Sequence, residues 1–349
     1  MRVDLSVIEG EYLRDLLDQP RAIENTLETL DISKPLSEVA HQLQNGSFER
    51  IVLTGMGSSF HALHPLNLQL IDHGFTAIMV ETSELIHYRT RFFDPNTLLI
   101  AVSQSGQSAE MVRLAEVNRK RSAVIAVTNT PESAFAKQAT AAVFTQAGRE
   151  FSVSCKTYVT ALLALKWLGD TLSARDPKRS RRELSSAVPA VTAYLADWKD
   201  HVVRLANSLR GIRQLFLVGR GASLAAAGTG ALIVKESDHF HAEGMSSAAF
   251  RHGPLEMLSE ETFVVVFSGD DKTRDLNLRL LTDIKRGGGK AEVVGEDAAL
   301  ECFSLKDDSS SIRPILEILP VQMITLALAA LAEREPGKFE LARKVTTTE

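Results

Sequence analysis

The chain has 349 residues, 44% apolar and 24% charged, with a formal net charge of −5 at pH 7. That balance gives nucleic acid no electrostatic reason to bind and opposes an anionic membrane surface. Two cysteines, Cys155 and Cys302, cannot build a disulfide framework, so a reducing, cytoplasmic setting is expected, and MRVDLSVIEGEY lacks the pattern of a secretory signal.

In chain order, a helical segment is expected over residues 1–34. The apolar run Ile51-Val52-Leu53-Thr54 then stops at Gly55-Met56-Gly57-Ser58-Ser59, and a helical pattern follows over 60–73. A second run, Leu98-Leu99-Ile100-Ala101-Val102, stops at Ser103-Gln104-Ser105-Gly106-Gln107-Ser108 and leads into a helical pattern at 109–119. A strand at 123–128 and a helix at 132–138 come next. The stretch 173–194 reads as a linker, and its charge run at 178–183 as a solvated linker or helix face.

The scheme then repeats. Leu215-Phe216-Leu217-Val218 stops at Gly219-Arg220-Gly221-Ala222-Ser223, and the run at 263–267 stops at Ser268-Gly269-Asp270-Asp271. Helices are expected at 224–235, 273–285 and 320–332, the last with Pro320 at its first position. A strand is expected at 290–294 after the turn Gly287-Gly288-Gly289. The apolar stretch at 318–332 is too short to cross a bilayer and reads as a buried helix. Continuous apolar runs alternating with helices predict an α/β protein of two tandem doubly wound sandwiches with central parallel sheets.

In such sheets ligands collect where strands end, because backbone amides and helix amino termini converge there. A phosphate needs several short donors and the positive end of a helix dipole. Ser103, Gln104, Ser105 and Ser108, with the amides around Gly106, supply that if Ser108 starts a helix, and Ser58 and Ser59 do the same one strand away. Serines also cap helices everywhere, contributing about 1 kcal/mol each. The density of donors in two loops of one half is what raises the phosphate reading. The equivalent loop of the second half carries Asp270 and Asp271, whose carboxylates repel phosphate. No G-x-x-x-x-G-K-[ST] occurs, and both G-x-G pairs lack the third glycine of a dinucleotide fingerprint, so no cofactor is expected. His239-Phe240-His241, read as alternate residues of a strand, and His61-x-x-His64 could each present two metal ligands, but no metal is expected from either.

Gly57-Ser58-Ser59-Phe60-His61-Ala62, SQSGQSAEM and KESDHFHAEGMSSAAFRHGPLEML together resemble the sugar isomerase (SIS) domain family. The resemblance is strongest to the isomerase half of glutamine–fructose-6-phosphate amidotransferases and to SIS-type glucosamine-6-phosphate deaminases, and it runs over nearly the whole chain. It implies a first SIS domain at 35–172, a linker at 173–194, a second SIS domain at 195–335 and a tail at 336–349 that closes the active site. The family's phosphate-binding groups fall on Ser58, Ser59, Ser103, Gln104, Ser105 and Ser108. Its sugar-contacting loop falls on 148–157 and includes Val153, with Cys155 expected to line the sugar site. Its proton-shuttling glutamate falls on Glu236, and its ring-opening histidine on His252, supplied across a homodimer. Its imine-forming lysine falls on Lys344, with Arg343 as the competing alignment. The glutaminase domain with its cysteine nucleophile is not expected here, since nothing before Glu11 could form it. The expected activity is isomerisation or deamination of a hexose 6-phosphate carrying nitrogen. A fructosamine-phosphate deglycase and a non-catalytic sugar-phosphate sensor are the alternatives.

Overall fold

In a computed structural model, which describes residues 4–151, 153–306, 309–341 and 344–346, the chain forms two compact units. One unit comprises residues 1–20, 150–155 and 187–341, and the other comprises 21–149, 156–186 and 342–349.

The second of these holds a five-stranded parallel sheet. Its strands are β1 (Arg50–Gly55), β2 (Ala77–Met79), β3 (Thr97–Val102), β4 (Ala123–Thr128) and β5 (Ala141–Phe144), in spatial order β2-β1-β3-β4-β5. Every residue of β3 is buried, as a strand covered by helices on both faces requires. One face packs Val52, Leu99, Ala101 and Ala126 against Leu85, Ile86, Met111, Leu114 and Phe135. Each such side chain contributes roughly 1.5–3 kcal/mol on burial. Crossover helices include Leu63–Asp72, Thr82–Tyr88, Ala109–Asn118 and Ala134–Gln138. The pattern at 60–73 is divided into Gly57–His61 and Leu63–Asp72, with Ala62 between them. The long helix Lys156–Leu172 ends in a buried polar knot. There Asp170 accepts from Lys166 Nζ at 2.6 Å, Ser180 Oγ at 2.6 Å, Gln69 Nε2 at 2.8 Å and Arg175 Nη1 at 3.1 Å. The stretch read as a linker is helical at Pro177–Ser185 and Ala187–Ala196. Its Arg181, an exposed residue, donates to the carbonyls of Leu27 and Leu30 at a helix end.

The other unit repeats the order with four parallel strands, β6 (Gln214–Gly219), β7 (Ala242–Ser246), β8 (Thr262–Phe267) and β9 (Lys290–Val294), arranged β7-β6-β8-β9. Phe216, Val218, Val264 and Val266 pack against Phe250, Leu280 and Ile284. The helix Leu224–Asp238 lies so close to β7 that a Cβ at Gly244 would sit 2.2 Å from the Ala227 carbonyl, so only glycine fits there. Arg313–Glu317 and Leu319–Leu331 follow one another. The span Arg313–Leu331 is 19 residues long and apolar enough to cross a membrane by length, yet 94% of its most apolar window is buried inside the protein. Pro320 takes the second position of the later helix, which begins at Leu319. Residues 4–20 pack on this helix. The Tyr12 hydroxyl accepts from Thr325 Oγ1 at 3.1 Å, and the Gln19 and Gln322 amides exchange hydrogen bonds of 2.9 and 3.0 Å.

Candidate functional site

The register Gly55↔Val102 places the ends of β1 and β3 side by side. After β1 the chain must turn sharply into a helix. Gly57 takes a left-handed φ of 52°, and a Cβ on Gly55 would lie 3.0 Å from the Phe60 amide nitrogen. Two glycines therefore let Ser58 and Ser59 open the helix Gly57–His61, both half-buried at the carboxyl edge of the sheet.

The loop after β3 is held by its own side chains. The Ser103 amide continues the ladder by donating to Val127 O at 3.0 Å, and its Oγ accepts from the Gly106 amide at 3.1 Å. Ser105 Oγ accepts from the Gln107 amide at 3.2 Å. The Gln104 carbonyl takes three donors, the Asn129 amide at 3.1 Å and the Thr128 and Thr130 hydroxyls at 3.2 Å each. Gly106 is left-handed at φ 60°, packed against Ser133. Ser108 has extended backbone and starts the helix Ala109–Asn118, but its hydroxyl makes no capping bond. The residue thus fixes the helix start by conformation without committing its hydroxyl to the helix amides.

Ser58, Ser59, Ser103, Gln104, Ser105 and Ser108 are thereby gathered at one edge of one sheet. The tail comes to the same edge, where Thr346 O accepts from the Ala109 amide at 3.1 Å, and Lys344 lies half-buried two residues earlier. Arg343 lies outside the described residues. Beside Ser58 and Ser59, the His61 and His64 rings stack at 6.4 Å and 10°, an arrangement of parallel faces rather than of nitrogens converging on one ion. Burial, then the neighbouring His61, pushes His64 down to about 4, so it is neutral at physiological pH.

In the other unit, Glu236 lies near the end of the helix Leu224–Asp238, half-buried. His239 ends that helix in a left-handed conformation at φ 51° and His241 precedes β7, so the two do not sit on a strand as the sequence suggested. His241 instead lies 3.6 Å from Glu243, and His239 meets Arg334 at 3.3 Å. Next to Glu236, burial raises Asp238 well above the ordinary carboxyl range. The Ser237 hydroxyl bonds its Oδ2, and its Oδ1 is buried with no partner. His252 is exposed in a turn, its backbone amide bonded to Ala249 O at 2.9 Å, while the adjacent Arg251 is tied to Asp283 at 2.7 Å. Val153 is 1% exposed, and Cys155 is fully buried, its amide and Sγ donating to Glu150 Oε1 at 3.0 and 3.4 Å. That wiring makes Cys155 a brace for its loop.

The carboxyl edge of the second sheet is built on the same plan with different chemistry. Ser268 continues the ladder to Val294 O, Gly269 is left-handed, and the residues that follow, Asp270 and Asp271, are exposed carboxylates. The residue that sequence reasoning missed here is Glu317. The one signal for it was an acid interrupting the apolar run Ile315-Leu316-Glu317-Ile318-Leu319.

The family model for the SIS domain matches residues 47–169 and 208–295. Glutamine–fructose-6-phosphate aminotransferase (isomerizing) of Pyrococcus horikoshii is 29% identical over 354 residues, covering 97% of this chain and 58% of that protein. The chain thus spans somewhat over half the length of such relatives. Among solved structures, the C-terminal domain of glucosamine-fructose-6-phosphate aminotransferase from Francisella tularensis matches with a TM-score of 0.82 at 21% identity, covering 93% of this chain and 96% of that one. Glucosamine-6-phosphate deaminase from Thermotoga maritima matches with a TM-score of 0.76 at 18% identity, covering 97% of this chain and 100% of that one. At those identities the structural likenesses concern the fold.

Proposed function

The chain belongs to the SIS domain family of phosphosugar isomerases, and from that premise we propose that it is an amino-sugar phosphate isomerase/deaminase acting on a hexose 6-phosphate. One observation carries the reading. Of two sheets built on one plan, only the first ends in a loop dense with uncharged donors and pre-shaped by its own hydrogen bonds. Such a loop binds phosphate without meeting the cost of ordering itself.

In this scheme Ser58, Ser59, Ser103, Gln104, Ser105 and Ser108 hold the phosphate. His252 opens the sugar ring by passing a proton to the ring oxygen. Glu236 then takes the proton from one of C1 and C2 and returns it to the other through an enediol or enolamine. Starting from glucosamine 6-phosphate, the proton moves from C2 to C1, water adds to the resulting C2 imine and ammonia leaves to give the ketose phosphate. Lys344 closes the pocket and forms an imine with the ketose, releasing water. The exposed, unanchored His252 side chain supports its delivery to a neighbouring subunit in a homodimer. Val153 and its loop bound the sugar. The scheme describes a cytoplasmic enzyme that works without cofactor.

The test is incubation of the purified chain with glucosamine 6-phosphate, fructose 6-phosphate and a fructosamine 6-phosphate, following ammonia, free amine and ketose separately. Ammonia and fructose 6-phosphate from the first substrate is the expected result. Free amine from the third would establish the deglycase instead, and no turnover of any substrate despite phosphosugar binding would establish a sensor.

A further inference from the structure

The carboxyl edge of the second sheet holds a small cleft of about 10 Å³, lined by Ser268, Arg274, Gly295, Glu296, Arg313 and Glu317. Glu317 lies at its floor and is 1% exposed. Its Oε1 accepts from the Ser223 hydroxyl at 2.7 Å, whereas Oε2 is buried with no hydrogen-bond partner. A buried carboxylate oxygen without a donor costs free energy, and this one belongs to a side chain that lines the cleft.

What completes this oxygen is set by its neighbours. Arg274 is matched twice, by Asp297 at 2.9 Å and Glu296 at 3.4 Å. Arg313 donates to the Gly269 carbonyl and its charge acts on Glu317, as does the opposite charge of Asp270. With both guanidinium groups answered by acids, the cleft has no surplus positive charge, so it rejects a phosphate or carboxylate ligand. The vacant position calls for a small group that carries N–H donors and positive charge.

We propose that this edge is a second binding site, separate from Glu236, which takes a primary ammonium group, as free ammonium or a small amine, on Oε2 of Glu317. The separation follows from one helix. Ser223 immediately precedes Leu224–Asp238, and Glu236 stands at its far end, about 20 Å of helix away. Burial, the chief influence on the Glu317 carboxyl, lifts it to about 7, so a cationic donor that restores its charge is also favoured. The site stands on this geometry alone and does not depend on the reaction proposed above.

The test is thermal melting of the purified chain near pH 8 in sodium, potassium, ammonium, methylammonium and tetramethylammonium chlorides at equal ionic strength. Ammonium and methylammonium should raise the melting temperature by about 2 °C over sodium at roughly ten times the dissociation constant. Potassium and tetramethylammonium, which lack N–H donors, should match sodium, and Glu317→Gln should abolish the gain. Equal melting in all five salts, potassium as effective as ammonium, or a gain that survives Glu317→Gln would each overturn the proposal. If the variant does not fold, the five-salt comparison on the wild type still decides.

Discussion

Gly106→Ala tests the loop after β3 at its tightest point. A left-handed φ of 60° costs an L side chain roughly 1–2 kcal/mol. The new Cβ would also lie 2.4 Å from Ser133 Oγ and 2.7 Å from Ser133 Cβ, distances no relaxed contact allows, so overpacking adds about 1–3 kcal/mol. Together the substitution should destabilise the protein by roughly 2–5 kcal/mol. Ser133→Gly removes both clashing atoms. Although Ser133 caps Ala134–Gln138 by accepting from the Ala136 amide, glycine at such a cap costs only about a few tenths of a kcal/mol. The double variant should therefore recover the overpacking share and retain only the backbone strain. The measurement is a double-mutant cycle by urea denaturation, with phosphosugar affinity by calorimetry alongside. Because the Gly106 amide donates to Ser103 Oγ, affinity should fall about tenfold or more in the single variant and recover in part in the double. A loss below about 0.5 kcal/mol for Gly106→Ala, or strictly additive variants, would refute the argument that Ser133 packing sets this loop.

Other outcomes follow from particular groups. Glu236→Gln should cut turnover by about 100-fold or more with phosphosugar affinity unchanged, since it removes proton transfer but no phosphate contact; an active variant would remove Glu236 from the mechanism. Burial works to raise the Asp170 carboxyl, but hydrogen bonds from Lys166 and Ser180 and the charges of Lys166 and Arg175 outweigh it and hold it below the ordinary range. Its contribution is therefore complete above its unfolded value and fades only as pH falls through the lowered one, and Asp170→Asn should cost about 3 kcal/mol at neutral pH in urea titrations. Glu317 has the opposite sign. With a folded value of about 7 against 4.5, its proton stabilises the fold fully below about pH 4.5 and that share is lost as pH rises through 7, amounting to about 3 kcal/mol. Wild type should lose stability between about pH 4.5 and 7 relative to Glu317→Gln, and parallel curves for the two would contradict the burial of an ionisable acid there.

The sequence made the central strands legible because strands covered on both faces are apolar almost throughout, and β1, β3, β4, β6 and β8 read that way. The strand β7, Ala-Glu-Gly-Met-Ser, was illegible because its place depends on close contact between Gly244 and the helix Leu224–Asp238 rather than on its own apolar content. The charge run at 178–183 lies on the largely exposed helix Pro177–Ser185, as the helix-face reading has it, but the use of Arg181 at a helix end is something no local pattern reveals. That the serines of the first sheet meet at one edge was legible from the strand ends that deliver them. The wiring that shapes them was not, because the Gln104 carbonyl draws its donors from residues on the next strand's loop. Glu317 was hidden for the same reason, since the hydroxyl that meets it lies 94 positions away in the chain.

The amide exchange between Gln19 and Gln322 joins positions 303 apart, whereas the strands β1 to β5 all lie within 50–144. During synthesis, the five-stranded sheet can assemble while the ribosome is still far upstream of Leu319–Leu331. The apolar face of Glu11–Leu17 must meanwhile wait for a partner that follows about 300 residues later in the chain. The unit that holds residues 11–17 is therefore completed after the sheet formed by residues 50–144.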